Sequence, residues 1–300
     1  MNYIISGCST ADVTKEWLDA RGIPFVKFHY RIDGVEHEDD LVSMPMKQFY
    51  QMIRDGADTE TSQVNTAEYV DYFTALLSQG MDVLHVELSS GISGSANSAK
   101  IAADMVRPNF PERRLYVVDS LAASSGIALL LDKMTELRDG GMSIEELYAW
   151  TEANKQCVHH LFYSADLTTF IKGGRISKIE GIFGGALHIC PLMDVSEDGR
   201  LVPRVKARGK KRAMQELMKK MAVYVDDGAD YSGKVYISHA DSDDDAREMK
   251  AMIEAAYPKL AEKVSIFDIG TTIGSHTGPG TVAVFFWGIT RKGLYDATNK

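Results

Sequence analysis

Apolar and polar positions along the first half of the chain alternate between strand and helix patterns. They predict strands at 3–7, 23–32, 82–89 and 114–120, and helices at 12–22, 44–56, 66–80, 95–107 and 124–141. Asn65 and Glu68 have capping-box spacing at the start of the third helix. Strands that alternate with helices predict a parallel sheet flanked by helices, in which ligands bind beyond the carboxyl ends of the strands.

The second half of the chain has longer strand patterns, which begin after a composition shift over 143–165. The pair Asp198-Gly199 separates two of these patterns and predicts a hairpin. We therefore expect an α/β protein of two domains, with a parallel sheet in residues 1–155 and a largely antiparallel sheet in residues 156–300. With 300 residues, the chain is long enough for each domain to bury a core.

Composition narrows the class of protein. The chain is 45% hydrophobic and 25% charged, and no apolar run approaches the roughly 20 residues that span a bilayer. Its N-terminus, MNYIISGCST, reads as a strand and not as a secretory signal, so we expect a soluble, cytoplasmic protein. The three cysteines, Cys8, Cys157 and Cys190, are too far apart for a disulfide framework. Together with the scattered histidines they match no zinc motif, so we expect no metal and no cofactor.

Charge argues against nucleic acid as a partner. The net charge is −9 and the pI is near 5.4, whereas neutralising phosphates requires clustered Lys and Arg. The segment 203–212 is a local exception with six basic residues, typical of a solvated strand and helix start or of a docking surface for a partner or phosphate. The acidic run 239–249 lacks the glycine and the closing Glu of an EF-hand loop and is explained by a helix start.

Candidate chemistry begins with VELSSGISGSANSAK, residues 86–100, where a predicted strand gives way to a helix. Its serines are out of frame for a nucleophile elbow, and the segment lacks the Lys of a phosphate-binding P-loop. Free amides and hydroxyls at a helix start favour an anion, which makes Ser93 and Gly94 candidate ligands. The alternative is that Ser93 or Ser95 only caps the helix.

Two further segments carry hydroxyl groups near predicted elements. In 59–65, Asn65 caps the next helix, which leaves Thr61 and Ser62 without a local role; an ordinary polar loop is the alternative. In 117–126 a polar loop follows a predicted strand and contains Asp119, Ser120 and Ser124. We expect all three hydroxyl-bearing loops to lie at one end of the sheet.

The segment 270–280 joins two predicted strands, and its glycines and proline predict a tight turn. Such a turn would fix His276 and Thr277 in place, although a lone loop histidine is usually an ordinary polar residue. The segment 170–177 presents Lys172 and Arg175 around paired glycines, a pattern that favours contact with an anion or a partner.

Eight short segments, in order, resemble the DegV family along nearly the whole chain: STADV, TSQ, SSGISGS, VVDSLAASSG, FIKGGRIS, LHICPLMDV, KARGKKRA and IGSHTGPG. DegV proteins are bacterial fatty-acid-binding proteins, and the better-studied members are binding subunits of a two-part fatty acid kinase. The resemblance implies that this chain binds a long-chain fatty acid and is not catalytic alone. A separate kinase subunit would convert the bound acid to an acyl phosphate, which an acyltransferase at the membrane surface would use for phospholipid synthesis.

The resemblance also assigns residues. It implies an acyl tunnel inside the second domain, with the carboxylate near the domain junction and supported by the loop that contains Asp119. The family's carboxylate-binding positions fall on Thr61, Ser93 and His276, with Ser62, Gly94 and Thr277 as their neighbours. The basic positions at the family's site entrance fall on Arg175 and Arg208, with Lys172 close to the first of them.

Three positions depart from the family pattern: Cys8 replaces an aspartate, Val64 a proline and Cys190 a lysine. A lipid carrier or sensor that works without a kinase is therefore an alternative. A serine hydrolase of lipid esters is a second alternative, against which stands the missing nucleophile elbow. Physically, a buried acyl chain gains ~0.8 kcal/mol per CH₂, and hydroxyls with helix amides can hold a carboxylate without a permanent cation.

Overall fold

The computed structural model of the protein describes residues 3–176 and 189–294. Ser177, Leu187 and His188, which belong to the segments FIKGGRIS and LHICPLMDV, lie outside these residues. In the part of the chain that is described, no helix is long and apolar enough to cross a membrane.

The first half contains the predicted strands and helices, but residues 23–32 form two short strands and the segment 59–65, expected as a loop, contributes another. The strands are β1 (Tyr3–Cys8), β2 (Phe25–Val26), β3 (His29–Ile32), β4 (Val35–Glu38), β5 (Thr59–Ser62), β6 (Asp82–Glu87) and β7 (Leu115–Asp119). The helices are α1 (Lys15–Asp19), α2 (Met46–Arg54), α3 (Thr66–Leu77), α4 (Ser95–Val106), α5 (Ser125–Asp139) and α6 (Ile144–Asn154).

Four of these strands form a parallel sheet in the order β2-β1-β6-β7. The predicted capping box starts α3, because the Asn65 side chain accepts a hydrogen bond from the Glu68 amide and the Glu68 carboxylate accepts one from the Asn65 amide. The parallel sheet expected for the first half is therefore confirmed.

The hydroxyl-rich segment 59–65 differs from its prediction as a loop. Its first four residues form β5, the edge strand of a small antiparallel sheet with order β4-β3-β5, in which Tyr30 pairs with Thr61. Threonine favours strands because its branched side chain packs well on a pleated surface. The segment therefore does not lie at the carboxyl end of a strand of the parallel sheet. Of the three hydroxyl-bearing segments, the two after β6 and β7 do.

The second half contains the remaining elements. Its strands are β8 (Val158–Ser164), β9 (Leu192–Val195), β10 (Leu201–Val205), β11 (Val235–His239), β12 (Val264–Asp268) and β13 (Thr281–Trp287). Its helices are α7 (Thr168–Lys172), α8 (Lys210–Tyr224), α9 (Asp243–Ala256) and α10 (Thr271–Thr277).

The second sheet has six strands in the order β10-β9-β8-β13-β11-β12, and only its β11–β12 pair is parallel. The predicted hairpin joins β9 to β10, and its turn is closed by the Ser196 amide, which donates to the Arg200 carbonyl at 2.8 Å. The mixed, largely antiparallel sheet confirms the fold class expected for the second half.

Helix α5 lies between the two sheets and contacts β1 and β6 on one side and β8, β11 and β13 on the other. This position explains why its side chains from Ile127 to Leu131 are all buried. On the opposite face of the second sheet, apolar side chains pack against α8 and α9. One apolar cluster includes residues of both halves, such as Leu88 and Phe162, so a domain division between residues 155 and 156 stays a prediction.

Candidate functional site

A cavity of about 420 Å³ lies between the inner face of the second sheet and the loops that follow β6 and β7. The resemblance implied a tunnel inside the second domain. Residues of both halves line the cavity instead, so it lies between them. Half of the described lining residues are apolar: Phe28, Leu88, Ile92, Ala123, Phe162, Phe170, Val195, Leu201, Ile269, Ile273, Ala283 and Phe285.

The second sheet gives the cavity its length. Thr281, Ala283 and Phe285 alternate along β13, and Ala283 pairs with Phe162 on β8, so these side chains share the inner face. At about 3.3 Å per residue, Thr281 and Phe285 are about 13 Å apart along the strand. The Phe285 ring meets the His160 ring edge to face at 5.3 Å. The cavity is therefore long enough for a chain-like apolar ligand.

His276 and Thr61 meet at one end of this cavity. The His276 Nε2 atom lies 2.6 Å from the Thr61 Oγ1 atom, although the two residues are 215 positions apart in the chain. His276 belongs to helix α10 and not to the tight turn that the sequence predicted; the turn follows at Gly278–Gly280. Gly173 packs directly on His276, because a Cβ atom at that glycine would lie 2.6 Å from Nδ1.

Burial and the nearby Arg175 guanidinium lower the pKa of His276 to about 4. The imidazole is consequently neutral at pH 7. A neutral ring has one N–H, so His276 can donate a hydrogen bond to Thr61 while the Thr61 hydroxyl donates its own proton to a ligand. This pair therefore offers a donor without carrying a positive charge.

Ser93 and Gly94 join the same end of the cavity. Gly94 contacts Gln63, two residues after Thr61, because a Cβ atom at Gly94 would clash with the Gln63 Oε1 atom. Gly94 is also the N-cap of α4, without a side-chain cap, and Ser93 Oγ accepts from the Ser95 amide at 3.2 Å. Neither Ser93 nor Ser95 is therefore the N-cap, in contrast to the capping alternative, although the Ser93 hydroxyl bonds one amide of the helix start and lines the cavity.

The residues at this end are named here the polar end of the cavity and comprise Thr61, Ser62, Gln63, Ser93, Gly94 and His276. Ser62, Gln63 and Gly94 are exposed, so the polar end is also the mouth. Thr277 and Ser124 line the cavity as buried residues. The sequence analysis did not single out Gln63 or His160 as site residues. His160 could have been found, because it alternates with Phe162 along β8 and so shares its inner face.

The predicted basic residues have different positions. Arg175 lines the mouth, where its Nη1 donates to the Gly173 carbonyl at 2.7 Å, and it is the one Lys or Arg among the described lining residues. Lys172 is exposed and pairs with Asp58 instead. Arg208 is exposed and forms an isolated bridge with Ile189, and neither it nor Lys172 is among the described residues that line the cavity.

The loop after β7 supports the site through its backbone. The Asp119 carboxylate accepts hydrogen bonds from the Ser90 amide at 3.1 Å and the Leu121 amide at 3.2 Å. The Ser120 hydroxyl accepts from the Ala122 amide at 3.1 Å. Neither side chain lines the cavity in the described residues. Asp119 joins this loop to the loop after β6, Ser120 stabilises its own loop, and Ser124 reaches the cavity wall.

A chain of hydrogen bonds resembling a hydrolase triad lies elsewhere in the first half. Ser6 Oγ is 2.9 Å from His85 Nδ1, and His85 Nε2 is 2.9 Å from the Glu87 carboxylate. All three side chains are fully buried, the Ser6 hydroxyl also bonds Tyr72, and none lines the cavity. A nucleophile must reach its substrate, so this chain is a structural network.

The three departures from the family pattern are also internal. Cys8 and Val64 are fully buried, and Cys190 is almost so. Burial raises the pKa of the Cys8 thiol well above its usual value and that of Cys190 to about 12, so both are neutral packing groups at pH 7. These residues neither line the cavity nor form an exposed surface that a partner would contact.

Similar proteins agree with this architecture. A family model described as an uncharacterised protein of the DegV family matches residues 8–288. The chain belongs to the DegV family. A DegV domain-containing protein of Lactococcus lactis is 36% identical over 293 residues, which cover 97% of this chain and 99% of that protein.

Solved DegV structures share the fold. A DegV lipid-binding protein from Thermotoga maritima matches with a TM-score of 0.84 at 28% identity, covering 97% of this chain and 100% of that one. A DegV family protein from Thermus thermophilus, described as binding fatty acid, matches with a TM-score of 0.84 at 26% identity, covering 96% and 100%. The predicted family and fold are therefore confirmed, whereas the roles of individual site residues stay predictions.

Proposed function

We propose that this DegV protein binds one long-chain fatty acid, with the acyl chain in the cavity and the carboxylate at its polar end. The observation that carries the proposal is the neutral His276–Thr61 pair at the mouth of a long, mostly apolar cavity. The Thermotoga and Thermus relatives, described as binding lipid and fatty acid, support the same ligand class.

Apolar burial supplies most of the affinity in this proposal. Each CH₂ group that leaves water gains ~0.8 kcal/mol, so ten methylenes in the cavity gain roughly 8 kcal/mol before the cost of ordering the chain. The aromatic rings of Phe162, Phe170 and Phe285 provide the apolar wall. A ligand with a short tail would therefore bind weakly.

The polar end selects the carboxylate. A carboxylate taken from water needs hydrogen-bond donors, since a buried charge without partners is very costly. The Thr61 and Ser93 hydroxyls and the amides at the start of α4 can donate to it, and Arg175 at the mouth adds a positive charge. Because the fatty acid head group would lie at the mouth, one carboxylate oxygen would remain within reach of a partner.

On this basis we further propose that the protein presents the carboxylate to a separate kinase subunit in the cytoplasm and is not catalytic alone. The acyl phosphate would then pass to an acyltransferase at the membrane surface. The family resemblance and the head group at the mouth support this step. The Ser93→Ala variant, at matched lipid occupancy, should form acyl phosphate more slowly with kinase and ATP, and an unchanged rate would contradict the role.

The binding proposal is tested with Thr61→Val, which keeps the branched shape on β5 and removes the hydroxyl. We expect palmitic acid to bind about tenfold more weakly, the loss of one hydrogen bond to a charged group. Palmityl alcohol, with the same tail and no carboxylate, should bind both forms equally. Thr74→Val, an exposed change on α3, is the matched control. Equal palmitic acid affinity of Thr61→Val and the native protein would refute the assignment.

A further inference from the structure

Helix α10, which carries His276, is packed against residues that come from the distant first half of the chain. Gly274 lies against α2, because a Cβ atom there would lie 2.5 Å from the Tyr50 hydroxyl oxygen and 2.9 Å from the Phe49 ring. The Tyr50 hydroxyl also donates to the Ile269 carbonyl, just before the helix, at 2.7 Å. Contacts with the first half therefore help to set the position of α10, which also packs against α7.

Two buried carboxyl groups hold the beginning of α10. Asp12 is 2% exposed, and its Oδ1 accepts a hydrogen bond from the amide of Gly270, the N-cap residue, at 3.0 Å. Asp39 is 3% exposed, and its Oδ2 accepts from the Thr272 hydroxyl at 2.6 Å. Both carboxyl groups come from the first half, 258 and 233 positions away from their partners.

These two carboxyl groups have no charge partner to explain their burial. Within residues 3–176 and 189–294, neither forms an ion pair with a Lys, Arg or His. Burial raises the pKa of both, and that of Asp12 well above its usual range. Neither side chain lines the cavity. Burying a carboxyl group without a charge partner is costly. The hydrogen bonds that Asp12 and Asp39 accept from α10 offset part of this cost.

The backbone around Asp12 is equally constrained. Asp12 has a left-handed conformation (φ 49°), which aspartate and asparagine tolerate better than most residues. Its carbonyl accepts from the Ser125 hydroxyl at 2.9 Å, and that hydroxyl lies 2.6 Å from the Ser238 hydroxyl of the second half. Asp12 thus connects the start of α5, strand β11 and the start of α10.

We propose that Asp12 and Asp39 are positioning residues of the fatty-acid site, acting through α10 on His276. The helix has seven residues and is about 10 Å long, so its beginning and the Thr61–His276 contact are joined by a short rigid element. When either carboxyl bond is lost, α10 shifts on its supporting residues and His276 moves away from Thr61. This inference rests on the proposed fatty-acid function.

The test compares three variants at residues outside the cavity wall: Asp39→Ala, Asp39→Asn and Asp12→Asn. Each is titrated with palmitic acid and with palmityl alcohol. Asp39→Ala should weaken palmitic acid binding about tenfold and leave palmityl alcohol binding unchanged, because His276 acts on the carboxylate through Thr61 and not on the acyl chain. Asp39→Asn keeps an acceptor oxygen for Thr272 and should restore most of the affinity. Asp12→Asn should likewise keep most of the affinity for palmitic acid, because asparagine offers the same acceptor oxygen and tolerates the left-handed backbone.

Asp132→Ala is the matched control. The Asp132 carboxyl lies buried on α5, away from α10, and pairs with Arg21 and Lys234. It should lower stability without changing the ratio of acid to alcohol affinity. The ¹⁵N shifts of His276 give a second readout and should change in Asp39→Ala but not in Asp132→Ala. An unchanged affinity ratio and unchanged His276 shifts in Asp39→Ala would overturn the positioning role. Native protein that binds palmitic acid no better than the alcohol would instead overturn the proposed function.

Discussion

The protonation of His276 gives a prediction whose size follows from the structure. An unfolded histidine has a pKa near 6.5, whereas burial and Arg175 lower the pKa of His276 to about 4 in the folded protein. Between these values the unfolded chain binds the additional proton. The contribution of His276 to stability is therefore full above pH 6.5 and is lost as the pH falls towards 4.

The magnitude is about 3 kcal/mol at most, since one pKa unit corresponds to about 1.4 kcal/mol. His276 keeps partial contact with solvent at the mouth, so we expect about 2 kcal/mol after allowance for screening. Asp12 and Asp39 have the opposite effect, because their raised pKa favours the folded state at low pH. A comparison with a His276 variant removes their contribution.

The variant is His276→Gln, whose side-chain amide nitrogen can replace Nε2 beside Thr61 without titrating. Urea unfolding of lipid-free native protein and variant is measured from pH 4 to pH 7.5. We expect the native protein to lose about 2 kcal/mol more stability than the variant over this range. A stability difference between the two proteins that does not change with pH would refute the assignment of a neutral, buried imidazole.

Three further substitutions probe the cavity. Gly173→Ala places a Cβ atom 2.6 Å from His276 Nδ1 and should weaken palmitic acid binding about tenfold in a titration, with palmityl alcohol unaffected. Phe285→Ala removes a buried ring that faces the cavity on one side, so calorimetry should show a loss of about 3 kcal/mol in stability, and mass spectrometry should show longer bound acyl chains. Lys172→Ala removes an exposed pair and should change stability by less than about 0.5 kcal/mol, with fatty-acid affinity unchanged.

The sequence predicted the order of elements because their periodicities are strong. The apolar runs of β6 and β13 and the capping box of α3 are local signals, and each one agrees with the fold. Such signals depend on neighbouring residues in the chain. They therefore suffice for the parallel first sheet and the hairpin of the second.

Other features depend on contacts that no local pattern reveals. Strand β5 has no apolar residue, so its pairing with β3 gave no alternating signal. Helix α10 has seven residues, which are too few to show a repeated pattern of apolar positions. The glycines in and after it indicated a turn instead. The bonds from Asp12 and Asp39 join residues more than 230 positions apart, which sequence reasoning on a single chain does not detect.

The candidate site was predicted in part. The structure brings Thr61, Ser93 and His276 to one cavity, although β5 and α10 differ from the predicted loop and turn. It does not bring Lys172 or Arg208 there, because Lys172 pairs with Asp58 and Arg208 lies on an exposed segment. Among the predicted basic residues, Arg175 lines the mouth, and a contact of Lys172 or Arg208 with a partner stays a prediction.

Mass spectrometry shows whether the cavity holds a fatty acid. An organic extract of the purified protein is analysed beside the native mass of the intact complex. We expect one C14–C20 fatty acid per chain, or uptake of one added palmitic acid by protein purified without lipid. A protein that is empty after purification and takes up no added fatty acid would refute the proposed function.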